Sequence, residues 1–198
     1  MSVRKGILLV ISGPAGVGKG TLAEMLLRRD GGFAFSVSAT TRAPRPAEKA
    51  GEHYYYLSEE EFAAMEQNGD FLETATVHGH RYGTPLKPVM QMLEEGRDLL
   101  LDIDSQGAAS VLSKLADCVA VFILPPSFAE QERRLRARNT ETEEELQRRL
   151  YNARGELAQI DKYRYAIVND SLEEAFRKLT AIIQAERLNT VRYRPEIS

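Results

Sequence analysis

Four short apolar runs, separated by longer helix-patterned segments, set the rhythm of this chain. They are "GILLVIS" (Gly6–Ser12), "DLLLDID" (Asp98–Asp104), "CVAVFIL" (Cys118–Leu124) and "YAIVND" (Tyr165–Asp170). Each is nearly continuous rather than alternating, and each ends at Gly, Pro or polar residues, as expected of strands buried on both faces. "KGTLAEMLLRR" follows the first with Leu22, Met25 and Leu26 at helical spacing. "SQGAASVLSKLA" follows the second, and a charged stretch from Ser127 to about Lys162 follows the third. "SLEEAFRKLTAIIQAERL" (Ser171–Leu188) reads as an amphipathic helix, with Ser171 at its cap and Glu174 three residues on. Strand alternating with helix predicts a three-layer α/β fold around a parallel sheet.

The middle breaks this rhythm. "SVSATTRAPRPAEKAGEHYYYLS", a helix-like "SEEEFAAMEQNG" and "DFLETATVHGHRYGTP" place short β-prone pieces between turn signals, which predicts a small inserted mixed-β lobe. The expected division is a core of residues 1–35, 94–125 and 163–198, a lobe of 36–93, and a helical segment of 126–162.

Composition changes this picture little. The chain has 198 residues, 43% hydrophobic and 28% charged, with a formal net charge of -3. That is ordinary for a globular protein and gives no basic field for nucleic acid or an anionic membrane. No apolar stretch approaches the ~20 residues that span a bilayer, and the start does not read as a signal peptide. Cys118, the only cysteine, excludes an internal disulfide and reads as a small buried hydrophobe. A reducing, cytoplasmic setting is expected.

The chemistry begins at "SGPAGVGKGT" (Ser12–Thr21), where Gly13, Gly18 and Lys19 fit the phosphate-loop pattern G-x-x-x-x-G-K-[ST]. Between a strand and a helix, the backbone N–H groups of Gly16 to Thr21 are expected to converge on phosphate oxygens. Gly13, Pro14, Ala15, Gly16, Val17, Gly18, Lys19, Gly20 and Thr21 form the candidate ATP cradle. Gly20 stands where a Mg²⁺-ligating hydroxyl usually sits, and Thr21 comes one residue late, about 100° around the helix. Mg²⁺ would therefore rely on ATP oxygens, waters and a second carboxylate. Asp102 and Asp104, at the C-terminal end of an apolar run, are the candidates; on one strand they would share a face, while cap or turn acids are the alternative.

A second anionic site is suggested by Arg42 and Arg45 around Pro44, since two guanidiniums on a stiff turn suit a phosphate. Solvated loop charges are the alternative. Tyr54 and Tyr82 add phenolic donors nearby. Arg134 and Arg138 are spaced to share one helix face, and Arg149 follows a segment in which Thr140 and Glu143 fit a capping box. Alone, these arginines would read as a solvated charged helix; in phosphoryl transfer they would stabilise developing charge. His78 and His80 form H-x-H, a weak zinc pattern with no cysteine nearby.

Taken together, these motifs resemble the guanylate kinase family over nearly the whole chain. "SGPAGVGKGT", "FSVSATTRAPRP", "HYYYLSEEEF", "DFLE", "YGTP", "LLLDIDSQG", "ILPPS", "TETEEELQRRL" and "YAIVND" stand in the family's order and spacing. The resemblance implies transfer of a phosphoryl group from ATP, with Mg²⁺, to GMP (and dGMP). It implies that Arg42, Arg45, Tyr54 and Tyr82 hold the GMP phosphate and that Ser38, Glu73, Thr84 and Asp104 read guanine. Lys19, Arg42, Arg134, Arg138 and Arg149 would be catalytic. Asp102 would border the GMP site and help hold Mg²⁺ through water, and Asn169 would approach the adenine. No partner beyond ATP and GMP is implied. The rivals are another small-molecule kinase on this scaffold and a non-catalytic binding module; modules of that kind typically lose the loop lysine and the lid arginines.

Overall fold

The computed structural model describes residues 4–77, 79–137 and 142–194. Its centre is a five-stranded, all-parallel sheet in which β1 (Leu8–Ser12), β2 (Phe33–Phe35), β7 (Asp98–Asp102), β8 (Val119–Leu124) and β9 (Tyr165–Val168) lie in the order β2-β7-β1-β8-β9. β1 sits in the middle because its residues are apolar on both faces. Ile7, Leu9 and Ile11 pack with Leu22 and Leu26 of α1 (Lys19–Arg29) and with Leu179 and Ile183 of α7 (Leu172–Arg187). Leu8 and Val10 point the other way, toward Val89 and Leu93 of α3 (Leu86–Glu94) and Ala108 and Val111 of α4 (Ser105–Lys114). That alternation is the period-2 geometry of a strand.

From β1 the chain goes out to β2 on one side, then returns through β7 and crosses to β8 and β9 on the other. The reversal falls at β1. In open α/β sheets such a switch point opens a crevice at the C-terminal strand ends, here beyond Ser12, Asp102 and Leu124.

A second, four-stranded sheet is mixed. β3 (Ser38–Thr40), β4 (Tyr54–Tyr56), β5 (Phe71–Val77) and β6 (His80–Pro85) run in the order β4-β3-β6-β5, with β3/β4 parallel and the other pairs antiparallel. Its own small core holds Phe62 of α2 (Glu59–Gln67), stacked on Phe71 at 4.5 Å between centroids. Ser58 and Glu61 form a full capping box on α2. The charged stretch folds as α5 (Phe128–Ala137), α6 (Glu143–Leu157) and a 3-10 turn at Ile160–Lys162.

Two elements were not legible as such. β2 has three residues, too few for any period to show. α3 carries Pro88 in its first turn, where the missing N–H is tolerated. Two local expectations are corrected. Ser171 is the N-cap residue of α7, but its side chain makes no cap hydrogen bond, and the Glu174 carboxylate, which would complete a capping box, meets Arg177 at 2.8 Å and Lys178 at 3.7 Å. The strand holding Asp102 stops there, and Asp104 is not on its face; it caps α4, accepting from the Gly107 N–H at 2.7 Å. The alternative of a cap acid therefore holds for Asp104. Thr140 of the expected second capping box lies outside the described residues. Glu143 pairs with Arg136 at 2.7 Å.

Candidate active site

β1 ends at Ser12, and the loop of residues 13–18 turns directly into α1. Gly16 and Gly18 sit at φ 81° and 91°, left-handed values that cost glycine little. Gly18 caps α1 with no side chain, so the first-turn N–H groups face the loop's concavity, a ready anion site. The Lys19 ammonium arches over the loop, donating to the Pro14 carbonyl at 3.1 Å and to that of Gly13.

Gly20 and Thr21 are exposed on the first turn of α1. A Cβ on Gly20 would lie 3.6 Å from Asp102 Oδ2. The position after the lysine therefore faces Asp102, which pairs with Ile11 across the sheet. Asp102 is open to solvent at the rim of the crevice, yet protein surrounds enough of it that partial burial raises its carboxyl, opposed by the charge of Lys19. Glu156, on α6, is likewise raised by burial and lowered by Lys19 and by the Ser105 hydroxyl. Both acids thus feel the loop lysine.

Glu73 on β5 and Thr84 on β6 are 7% and 1% exposed. Thr84 Oγ1 donates to Glu73 Oε1 at 2.6 Å. Burial raises the Glu73 carboxyl, Thr84 pulls it back, and the charge of Asp104 raises it further. A Cβ at Gly107 would lie 3.4 Å from both Asp104 Oδ1 and Glu73 Oε2, so the two carboxylates converge on one glycine. The β3/β6 register, Ala39 opposite Gly83 and Thr40 opposite Tyr82, carries Ser38 to the level of Thr84. Ser38, Glu73, Thr84 and Asp104 are thus brought to one region.

Arg42 and its neighbours form the adjoining cluster. Arg42 Nη2 donates to both Glu48 oxygens at 2.9 and 3.0 Å. Its guanidinium lies 5.5 Å from the Tyr54 ring centroid, and Tyr54 meets Tyr82 edge-on at 6.0 Å. Glu48 also accepts from the Arg45 N–H and the Tyr56 hydroxyl, each at 2.8 Å. These donors, Arg42 first, hold its carboxyl down at about 2. Arg45 itself is exposed.

Of the helical arginines, Arg134 on α5 donates to the Asn169 carbonyl at 2.9 Å and pairs with Glu130 at 2.7 Å. Arg149 is exposed on α6. Arg138 lies outside the described residues, as does His78; His80 is exposed on β6. Asn169 is 4% exposed and sits beneath the loop, its amide donating to the Val17 carbonyl at 2.8 Å. Burial pushes the Cys118 thiol up to about 11. Sequence reasoning missed Glu48, Glu156 and Gln131. Glu48 had one signal, its place three residues after Arg45 in a proline turn; Gln131 had another, a polar residue on the Phe128–Leu135 face of a helix.

With this geometry in place, similarity to known proteins decides the family. A family model described as guanylate kinase matches residues 5–186. The chain belongs to the guanylate kinase family. The guanylate kinase of Oleidesulfovibrio alaskensis is 50% identical over 194 residues, covering 98% of this chain and 94% of its own. That of Clostridium tetani is 46% identical over 195 residues, covering 98% and 93%. The crystal structure of guanylate kinase from Anaplasma phagocytophilum matches with a TM-score of 0.71 at 36% identity, covering 97% of this chain and 92% of that one. No helix among the described residues is long and apolar enough to cross a membrane.

Proposed function

We infer that this guanylate kinase family member is a cytoplasmic enzyme that phosphorylates GMP with ATP. The observation that carries the reading is Glu73, a buried carboxylate on the mixed sheet, held by Thr84 and converging with Asp104 on Gly107. Guanine presents N1–H and N2–H₂ on one edge, and one carboxylate can accept from both. Adenine offers neither, so it would leave a buried carboxylate unpaired, an outcome that discriminates by ~10⁴–10⁵.

In this reading the N–H groups of Gly16 to Thr21 cradle the ATP phosphates, and Lys19 leaves its loop carbonyls for the γ phosphate. Arg42, Arg45, Tyr54 and Tyr82 hold the GMP phosphate. Its oxygen is already anionic at neutral pH, so the transfer needs no general base; it needs the two phosphates in line. Arg134, Arg138 and Arg149 offset the charge that develops on the moving phosphoryl group. The mixed-sheet lobe and the segment 126–162 close over both nucleotides and exclude water.

Among the described residues, no group of three or more His, Cys, Asp or Glu is placed to hold a metal. Asp102, alone beside Gly20, fits a divalent ion that arrives on ATP, held by phosphate oxygens and water, with Asp102 reaching it through water. Held there, Mg²⁺ would supply neutralisation of the charge on the ATP phosphates.

ADP release from ATP and Mg²⁺, with GMP, AMP, UMP or ribose 5-phosphate as acceptor, tests the reading. Release should depend on GMP, and Lys19→Ala should lower kcat by about 10²-fold or more. Tight GMP binding without release would favour a binding module. Release with another acceptor would overturn the roles of Glu73, Thr84 and Asp104.

A further inference from the structure

Gln131 lies on α5, outside the nucleotide cradle, and is 0% exposed. Its Nε2 donates to the Ala15 carbonyl of the phosphate loop at 2.8 Å. Its Oε1 is buried with no hydrogen-bond partner among the described residues. A buried amide left half-satisfied is costly in a core, and an apolar side chain would fill the site without that cost. The donor half is therefore the part with a task.

α5 presses directly on the loop at this point. A Cβ on Gly16 would come within 2.8 and 3.0 Å of Leu135 Cγ and Cδ2, one helical turn from Gln131. The second support is Asn169, which holds the Val17 carbonyl at 2.8 Å. Arg134, also on α5, ties the two together through the Asn169 carbonyl at 2.9 Å. The loop is thus gripped from behind by two carbonyls, those of Ala15 and Val17.

Peptide planarity gives the grip its consequence. In a trans peptide the carbonyl of one residue and the N–H of the next point in opposite directions, and no described peptide bond here is cis. Fixing the Ala15 carbonyl on Gln131 turns the Gly16 N–H away from α5. Fixing the Val17 carbonyl on Asn169 turns the Gly18 N–H away from Asn169. Both amides are then free to face the loop's concavity, where the ATP-binding reading puts the phosphates.

We propose that Gln131, with Asn169, is a positioning residue that sets the Ala15–Gly16 and Val17–Gly18 peptide planes and so aims two loop N–H donors at the nucleotide phosphates. The proposal rests on the ATP-binding reading of the loop. It also makes α5, which opens the arginine-bearing segment, a structural partner of the phosphate loop.

The test is binding of ADP with Mg²⁺ to the full chain by calorimetry, in wild type, Gln131→Met and Gln131→Leu. Each substitution keeps apolar volume and removes the donor. GMP binding and thermal melting are measured beside it, with the Gly16 and Gly18 amide NMR shifts. ADP affinity should fall about 5- to 30-fold, the scale of one weakened hydrogen bond to a charged phosphate. GMP affinity should stay within about twofold, the melting temperature should hold or rise, and the ADP-induced shift of the Gly16 amide should shrink while that of Gly18, held through Asn169, changes less. Unchanged ADP affinity in folded variants would overturn the proposal. ADP and GMP affinities falling together with the melting temperature, or both variants failing to fold, would make Gln131 a packing residue and overturn it equally. A wild-type protein that binds no ADP would fail differently, removing the nucleotide reading itself.

Discussion

Thr84 and Glu73 form a 2.6 Å hydrogen bond between two buried side chains on adjacent antiparallel strands. The bond holds a carboxylate that burial would otherwise push toward its neutral form. In the proposed function, guanine binds the ionised form. Because burial raises the Glu73 carboxyl, it protonates at a higher pH than an ordinary glutamate. The sign for the free protein follows: ionised Glu73 costs stability at neutral pH, and that cost is relieved as pH falls through the raised value. Binding has the opposite sign, so the KM for GMP should rise as pH falls through that same value. Thr84→Val, which removes the donor, should move this rise to still higher pH and increase the neutral-pH KM for GMP about tenfold. Steady-state kinetics from pH 5 to 8 checks both.

Glu48 ties Arg42, the Arg45 backbone and Tyr56 into one unit. Its carboxyl, held near 2, keeps its charge well below the usual range, so its hold is present above that range and is lost only as pH falls toward 2. Glu48→Ala should release Arg42 and loosen the proline turn. The expected outcome is a KM for GMP raised about tenfold, with KM for ATP unchanged, read from initial rates.

Gly20 faces Asp102 with room for a Cβ at ordinary contact distance. Gly20→Ser should fit without strain and gain about 0.5 kcal/mol from helix propensity. It also sets a hydroxyl beside the proposed water-mediated metal contact. The Mg²⁺ concentration for half-maximal ATP binding should fall, measurable by titrating Mg²⁺ against a fluorescent ATP analogue. An unchanged requirement would separate this position from the metal.

How much of this was legible follows from what each signal depends on. The four central strands were readable because burial on both faces leaves continuous apolar runs, and the phosphate loop because its glycines stand at fixed spacing. Asp104 was misplaced because a strand end and a helix cap both favour an acid after apolar residues, and only the Gly107 N–H separates them. Ser171 and Glu174 matched a capping box, but Arg177 and Lys178 compete for the same carboxylate. The placement of Asn169 beneath the loop, and the existence of the Gln131 contact, depend on residues more than a hundred positions away. No local pattern carries such information.

Cys118 is buried, and its thiol is pushed up to about 11. The thiolate is the reactive species, so the native protein should show almost no labelling by an aromatic disulfide reagent at pH 8. One equivalent should react once denaturant is added. Fast labelling of the folded protein would contradict the packing around the start of β8.

The central claim is that a buried carboxylate selects guanine at a phosphate-transfer site. The most direct measurement is the ratio of kcat/KM for GMP to that for AMP, in wild type and in Glu73→Gln. The account predicts a wild-type ratio of about 10⁴ or more, falling by roughly 10²-fold or more in the variant, because the amide cannot accept from both guanine donors. A wild-type ratio near one, or a ratio untouched by Glu73→Gln, would contradict it.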